Sequence, residues 1–446
     1  MDTAPAPAEQ VDARKLYSKI SWRLIPYIFT LYILAYVDRS NVGFAALEFK
    51  HDLHLSDAVF GYGGAIFFAG QLMFDLPSNL FLQKVGPRLW IARIMITWGI
   101  VATCMTLITG TKSFYLLRLL LGISEAGFFP GMILYLTYWF PSKERARAVA
   151  KFMTATSIAG VVGAELSRVL LKLEGVAGLH GWQWLFLMEG LPTILFGVSV
   201  LFLMKDHPDD AGWLTETERK WLDNELQRDR DEGGATEQHN LKDAFKLPMV
   251  WVLATIFALS QIGVYTVTLW MPLMLEAIMH LTGTNGAVQV GRLGALPYLC
   301  AAICTVIIGW DSDRTGERRF HIAACLATSC AGFAWAAYAH DLVTALGAFS
   351  LAAIGCWSMQ GPFWALPTRV LGGRAAAGGV AIITMIGSIG SAIGPSLTGK
   401  MKQMTHNYTA GLLVVGGICL IGSILCFFLS DEGENGKGAA NAGASS

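Results

Sequence analysis

Trp22–Leu47 reads WRLIPYIFTLYILAYVDRSNVGFAAL. The run is long enough for a helix of ~20 residues to cross the hydrocarbon core of a bilayer, yet it encloses Asp38 and Arg39 side by side. A charge at mid-bilayer costs roughly 2.5–3.5 kcal/mol on insertion scales, so it persists where it pairs, lines a watery cavity or does work. A second such run, Phe114–Phe140, encloses Arg118 and Glu125. Two acids and two bases set inside apolar spans point to a site that handles an anion and a proton.

Working outward, runs of this kind recur about twelve times: Trp22–Leu47, Val59–Leu82, Leu89–Thr109, Phe114–Phe140, Ala148–Leu171, Trp182–Met204, Met249–Ile278, Leu293–Trp310, Phe320–Ala339, Leu342–Leu366, Ala375–Thr398 and Thr409–Ser430. The 446 residues are 54% hydrophobic and only 15% charged, where a soluble chain carries about 25% charged residues. Backbone polar groups in lipid must satisfy one another, so each run is expected to be helical. The predicted fold class is an all-α membrane protein of twelve transmembrane helices. A net charge of +0 gives no reason to expect a nucleic-acid partner.

The placement of charge sets the expected orientation. Arg14, Lys15 and Lys19 precede the first span; Lys84, Arg88 and Arg93, then Lys143, Arg145, Arg147 and Lys151, fill the next even-numbered connections. Intervening connections carry only Lys50, Lys112 and Lys172. The positive-inside rule then puts both termini in the cytoplasm, with Lys400 and Lys402 against the trend; the expected location is the plasma membrane, a bacterial inner membrane. Met1–Gln10 has no apolar core of a cleavable signal, so the first span is expected to serve as an uncleaved one. The eight cysteines form no CxxC pair and are read as inert thiols, neither a disulfide framework nor a metal site. No cofactor is expected.

The longest polar segment divides the chain: a tail over 1–21, a six-helix bundle over 22–204, a connection over 205–248, a second bundle over 249–430 and a tail over 431–446. Within the connection, Thr215-x-x-Glu218 has the spacing of a capping box opening a short helix with Trp221, Leu222 and Leu226 on one side. Asp229–Asn240, with Gly233-Gly234, is expected to be flexible. The two bundles echo each other, because Gln83-Lys84-Val85-Gly86-Pro87-Arg88 and Asp313-Arg314-Thr315-Gly316-Glu317-Arg318 follow corresponding spans. Two six-helix repeats place a substrate near mid-membrane between them.

Gly309-Trp310-Asp311-Ser312-Asp313-Arg314-Thr315-Gly316 resembles the loop signature of the major facilitator superfamily. Asp38-Arg39-Ser40-Asn41-Val42-Gly43, Pro77-Ser78-Asn79, Glu125-Ala126-Gly127-Phe128-Phe129-Pro130, Gly181-Trp182-Gln183-Trp184, Asp209-Asp210-Ala211-Gly212-Trp213 and Pro362-Phe363-Trp364-Ala365 resemble, in order, its anion:cation symporter family, in particular the tartrate-transporter-like branch. The resemblance runs from about Arg23 to Ser430. It implies two pseudo-symmetric bundles, proton-coupled symport of a sugar acid or dicarboxylate into the cell by alternating access, and a functional monomer. It also implies roles for Asp38, Arg39, Arg118 and Glu125. In place of the glycine-proline signature of antiporters, the fifth span has Gly160-Val161-Val162-Gly163, which favours symport.

Arg118 and Glu125, seven residues apart, share a helix face two turns from each other, whereas Asp38 and Arg39 point about 100° apart. A reciprocal arrangement follows: Asp38 with Arg118, Arg39 with Glu125. Such pairs could simply lock helices together, but buried ion pairs are often no better than apolar replacements. Joining or separating a carboxylate and a guanidinium changes the acid's proton affinity, while the arginine fork suits a substrate carboxylate. The expectation is that Arg39 takes the anion, Glu125 titrates beside it, and Asp38 is a second proton site gated by Arg118. No histidine lies inside a span, so carboxylates must carry the proton.

The second half offers no charge at mid-span. Tyr265, Trp270, Gln360, Trp364, Thr384 and Ser388, with Gln71 from the first half, are expected to read the substrate body. Asp75, Lys84, Arg88, Asp313 and Arg314 are assigned to a cytoplasmic gate and its loops, and Glu189 to structure. Glu165 and Arg168 either pair with each other or retune the cavity. Other readings of the same chain are an uncoupled facilitator, an anion exchanger or a carrier of an aromatic carboxylate such as phthalate. An enzyme would want a metal cluster or an activated serine, and a channel a ring of filter residues; the sequence offers none of these.

Overall fold

The computed structural model describes residues 11–141, 144–145, 148–149, 155–232, 246–279, 283–370 and 373–429. Lys143, Arg147, Lys151, residues 1–10 and 431–446 of the expected tails and most of the expected flexible segment lie outside them. The described residues hold helices and no strand. In the first half these are α1 (Ala13–Asp52), α2 (Asp57–Val85), α3 (Pro87–Cys104), α4 (Thr111–Glu125), α5 (Phe128–Thr137), α6 (Ala155–Leu170) and α7 (Gly181–Leu203). The connection carries α8 (Glu216–Glu232). The second half holds α9 (Pro248–Met279), α10 (Gly283–Thr315), α11 (Arg319–Ala336), α12 (Leu342–Ser358), α13 (Gln360–Val370), α14 (Gly373–Thr405) and α15 (Thr409–Leu425).

Among the described residues, 10 helical stretches are long and apolar enough to cross a membrane. The shorter α6 and α11 bring the crossings to the expected twelve, with α4–α5 and α12–α13 each forming one. Those two broken crossings are the fourth of each half. The first breaks at Ala126 and Gly127, where Gly127 has φ +84 and a Cβ would meet the Ser78 hydroxyl at 2.2 Å. The second breaks at Met359. Interrupted helices at matching positions of two repeats mark where a transporter binds its cargo.

The expected sequence echo is structural as well. Gly86 and Gly316 both take positive φ, +95 and +73, in the turns after α2 and α10. A side chain is strained there, so the shared glycine is required by the backbone. The capping box also forms: the Thr215 amide donates to Glu218 at 2.8 Å, and the Glu218 amide to the Thr215 hydroxyl at 3.2 Å. Leu222 and Leu226 are buried, and the Trp221 ring sits edge-on to Tyr17 at the start of α1.

The halves meet along two seams, α2 against α14 and α6 against α10, with α1 against α9 between them. Contact is closest at the distal end, opposite the end where α1 begins and α8 lies. A Cβ at Gly61 would meet the Pro395 carbonyl at 2.5 Å, and one at Gly399 the Asp57 carbonyl at 2.6 Å. Small residues permit this approach where no hydrophobic effect drives helices together in lipid. Within the second half the glycines of α14 permit the same close approach to α9, since a Cβ at Gly390 or Gly394 would strike carbonyls of Ala258 or Ile262.

Candidate functional site

With the distal end packed, a cavity of about 300 Å³ lies between the halves, on their middle and proximal parts. Helical spacing builds each wall. α1 contributes Tyr32, Tyr36 and Arg39; α2 contributes Phe68, Gln71, Asp75 and Asn79; α9 contributes Phe257, Gln261 and Tyr265. Steps of three and four residues keep each set on one helix face. Phe129 and Pro130 enter just after the α4–α5 break, and Trp357 and Gln360 flank the α12–α13 break.

Of the expected substrate residues, Arg39, Gln71, Tyr265, Gln360, Trp364, Thr384 and Ser388 line this cavity. Gln360 also donates to Gln261 at 3.2 Å, tying α13 to α9. Trp270 does not belong there. It is buried at the distal end, where its indole N–H donates to the Pro395 carbonyl at 3.1 Å and its ring meets Phe60 and Tyr408. Five residues beyond Tyr265, it faces another direction and lies nearer the closed end.

Arg39 and Glu125 are brought together as expected. The Arg39 Nε–H donates to Glu125 Oε1 at 2.6 Å, and Nη2 approaches the same oxygen. The guanidinium lines the cavity with its side chain 12% exposed, while the Glu125 side chain, at 0%, is sealed behind it. Glu125 therefore reaches a ligand only through Arg39, which corrects its placement among the substrate contacts. Its other oxygen, Oε2, has no hydrogen-bond partner among the described residues.

The second expected pair does not form. Asp38 is buried and accepts from the Trp98 indole N–H of α3 at 3.0 Å. Arg118 donates from Nε to the Gly63 carbonyl at 3.2 Å and lies over the Phe67 ring at 4.6 Å, with Nη1 unpartnered among the described residues. No carboxylate lies within ion-pair distance of it among the described residues. Trp98 was missed because an indole two helices away leaves no periodic signal beside Asp38.

Asp75 is placed deeper than a gate at the mouth. It stands on the cavity wall, where its Oδ1 accepts from the Gly127 amide at 2.7 Å, while the Ser78 hydroxyl donates to the Ala126 carbonyl at 2.7 Å. The Asp75-x-x-Ser78 spacing thus clamps α2 to the helix break that follows Glu125. At the loops, the Arg88 amide donates to Asp206 at 2.8 Å, and Arg318 joins Ser312 at 2.9 Å and Asp313 at 2.5 Å. Arg314 lies over Trp310 at 5.4 Å. Asp206 and Arg318 hold these turns; Arg318 closes the repeated loop motif, whereas Asp206 carries no signal in the sequence. Glu165 and Arg168 pair with each other at 2.6 Å.

Among the described residues no cluster of histidines, cysteines and carboxylates could hold a metal ion, and all eight cysteines are free. The arrangement suits recognition of an anion rather than bond making.

The model of the Major Facilitator Superfamily matches residues 28–395. A "Putative tartrate transporter" of Agrobacterium vitis is 43% identical over 94% of this chain and 92% of its own length. A "Quinolone resistance transporter" of Acinetobacter baumannii is 36% identical over 94% of this chain and 95% of its own. Among solved structures, a bacterial homologue of the human lysosomal transporter Spinster, inward-facing and unoccupied, superposes with a TM-score of 0.73 at 18% identity, over 93% of this chain and 97% of its own. These proteins are transporters, not enzymes.

Proposed function

Because this chain belongs to the major facilitator superfamily, as a multi-pass membrane transporter, we propose that it carries a small organic anion together with a proton by alternating access. The substrate class in this reading is a sugar acid or a dicarboxylate such as tartrate. The proximal end is assigned to the cytoplasm by the charge bias of the connections, which makes the observed cavity inward-facing.

One observation carries the reading: Arg39 faces the cavity while its partner Glu125 is sealed behind it. The pair is neutral as it stands. A carboxylate that docks on the Arg39 fork adds an uncompensated negative charge to a poorly hydrated site, which is costly. A proton on Glu125 restores neutrality and releases the fork, so anion and proton bind best together. Asp38, held by Trp98, and Arg118, without an ion-pair partner, lie behind the same wall and supply the second proton site of the reading.

Uptake into proteoliposomes with and without an imposed pH gradient tests it. Glu125→Gln should keep ligand binding, since the amide still accepts from Arg39, while uphill accumulation falls to the level of equilibration. Proton-driven accumulation that survives in this variant would overturn the assignment. A carrier of an aromatic carboxylate is the second reading; Tyr32, Tyr36, Phe68 and Trp357 on the wall favour it. Competition by benzoate against the sugar acid decides between them.

A further inference from the structure

The face of α2 inside the cavity presents Gln71, Asp75 and Asn79 one turn apart. Their hydrogen bonding is lopsided. The Asn79 amide group donates to the Asp75 carbonyl at 2.9 Å, leaving its side-chain oxygen buried with no partner among the described residues. Asp75 uses Oδ1 for the Gly127 amide, and its Oδ2 makes no hydrogen bond among the described residues. The Asn79 oxygen is closed off from the cavity, whereas Asp75, half-buried on the cavity wall, keeps one acceptor for a ligand that brings an O–H or N–H group.

Charge on the wall is equally restrictive. Among the described residues that line the cavity, Arg39 is the one cation and Asp75 the one carboxylate. Arg39 has a single fork for a single carboxylate. Asp75 cannot turn away, since the Gly127 amide pins it at 2.7 Å to a backbone break that ties α2 to α5. A second carboxylate on the ligand would meet a fixed like charge, with no second cation among the described lining residues to offset it, in a medium that screens poorly. A repulsion of this kind discriminates against the ligand that carries the second charge.

We propose that Asp75 selects a polyhydroxylated monocarboxylate, its carboxylate on Arg39 and a hydroxyl on the second Asp75 oxygen, and that Asp75 rejects dicarboxylates. This narrows the anion-carrier reading and rests on it. Asp75 acts as a specificity determinant within the cavity, and the same clamp on Gly127 keeps it in register with Glu125.

The test uses the full chain in detergent and in proteoliposomes, with gluconate, glucarate and hexanoate as probes. Glucarate differs from gluconate in a second terminal carboxylate, and hexanoate lacks the hydroxyls. The wild type should bind gluconate about tenfold or more tighter than either of the others, as expected for one unscreened repulsion or one unmade hydrogen bond. Asp75→Asn keeps an acceptor for Gly127 but removes the charge, and should bring glucarate within about threefold of gluconate. Glucarate bound as tightly as gluconate by the wild type overturns the inference and leaves the anion carrier standing. That ratio decides even if the variant fails to fold. Refusal of all three probes also overturns it, and the anion reading falls with it if benzoate and phthalate are refused as well.

Discussion

Two ionic clusters in this protein look alike in composition and differ in what they join. Arg39–Glu125 links α1 to α4 inside the first half, at the cavity wall. At the distal end, Asp57 of α2 receives Lys50 of α1 and, from the second half, Lys402 of α14 at 3.2 Å, while Lys402 also donates to the Tyr408 hydroxyl at 2.5 Å. A pair within one rigid half can persist while the halves rock, so it is available to bind and titrate. A pair across the halves must break for the distal end to open, so it sets which state is populated. Lys402, one of the two bases that run against the positive-inside trend, finds its explanation as a partner for Asp57.

The sharpest way to break the comparison is Arg39→Lys. It removes the bidentate fork and leaves Glu125 poorly paired; loss of one partner from a buried, hydrogen-bonded charge pair costs about 2–5 kcal/mol. Uptake in proteoliposomes should fall by about a hundredfold or more, since each 1.4 kcal/mol is a factor of ten. Gly61→Val should act next, by keeping the distal seam from closing against the Pro395 carbonyl. Overpacking of this kind costs about 1–3 kcal/mol. Spin-label distances between the distal ends of α2 and α14 should lengthen, while Gly417→Ala, with nothing within 4 Å of its Cβ, should leave them unchanged.

Asp57→Asn should shift the same distances by releasing two lysines from their shared carboxylate, with about a tenfold change in the open population, equivalent to about 1.4 kcal/mol. Glu165→Gln breaks a pair confined to α6 and should not move them; movement there would remove the distinction between the two kinds of pair. The smallest effect belongs to Lys19→Ala at the surface. Lys19 holds Glu218 of α8 at 2.7 Å, and such exposed pairs contribute about 0.2–1 kcal/mol. Burial pushes the Glu218 carboxyl up, but the Lys19 ammonium and the Thr215 cap outweigh it and hold it below its usual value. A depressed carboxylate stabilises the folded state above its unfolded value of about 4.3 and loses that contribution as pH falls through the folded value. The Tm gap between wild type and variant should therefore close in acid.

Several parts of the site were legible from local rules. The Arg39–Glu125 partnership followed from spacing along two helices, the Thr215 cap from its box, and the positive-φ glycines from the repeated loop. Tyr32, Tyr36 and Arg39 at i, i+4 and i+7, and Gln71, Asp75 and Asn79 at i, i+4 and i+8, also left a helical stripe that could have been read. Trp98 under Asp38 left none, and Trp270 misled because an aromatic in a span is equally at home in a seam. The missing Asp38–Arg118 contact has the same origin: two side chains on correctly predicted helices meet only if rotation and depth agree.

The amino-acid sequence alone determined the helical crossings, their division into two repeats and the presence of costly charges within them. Each of these depends on one dimension, the length of apolar chain set against the thickness of a bilayer. The tertiary structure alone decided which charge faces the cavity, which is sealed behind it and which end is closed. Those outcomes depend on how whole helices turn and slide against one another, and that is settled by the summed packing of many side chains, with the glycine contacts of α2, α9 and α14 fixing the register to within a fraction of a helical turn.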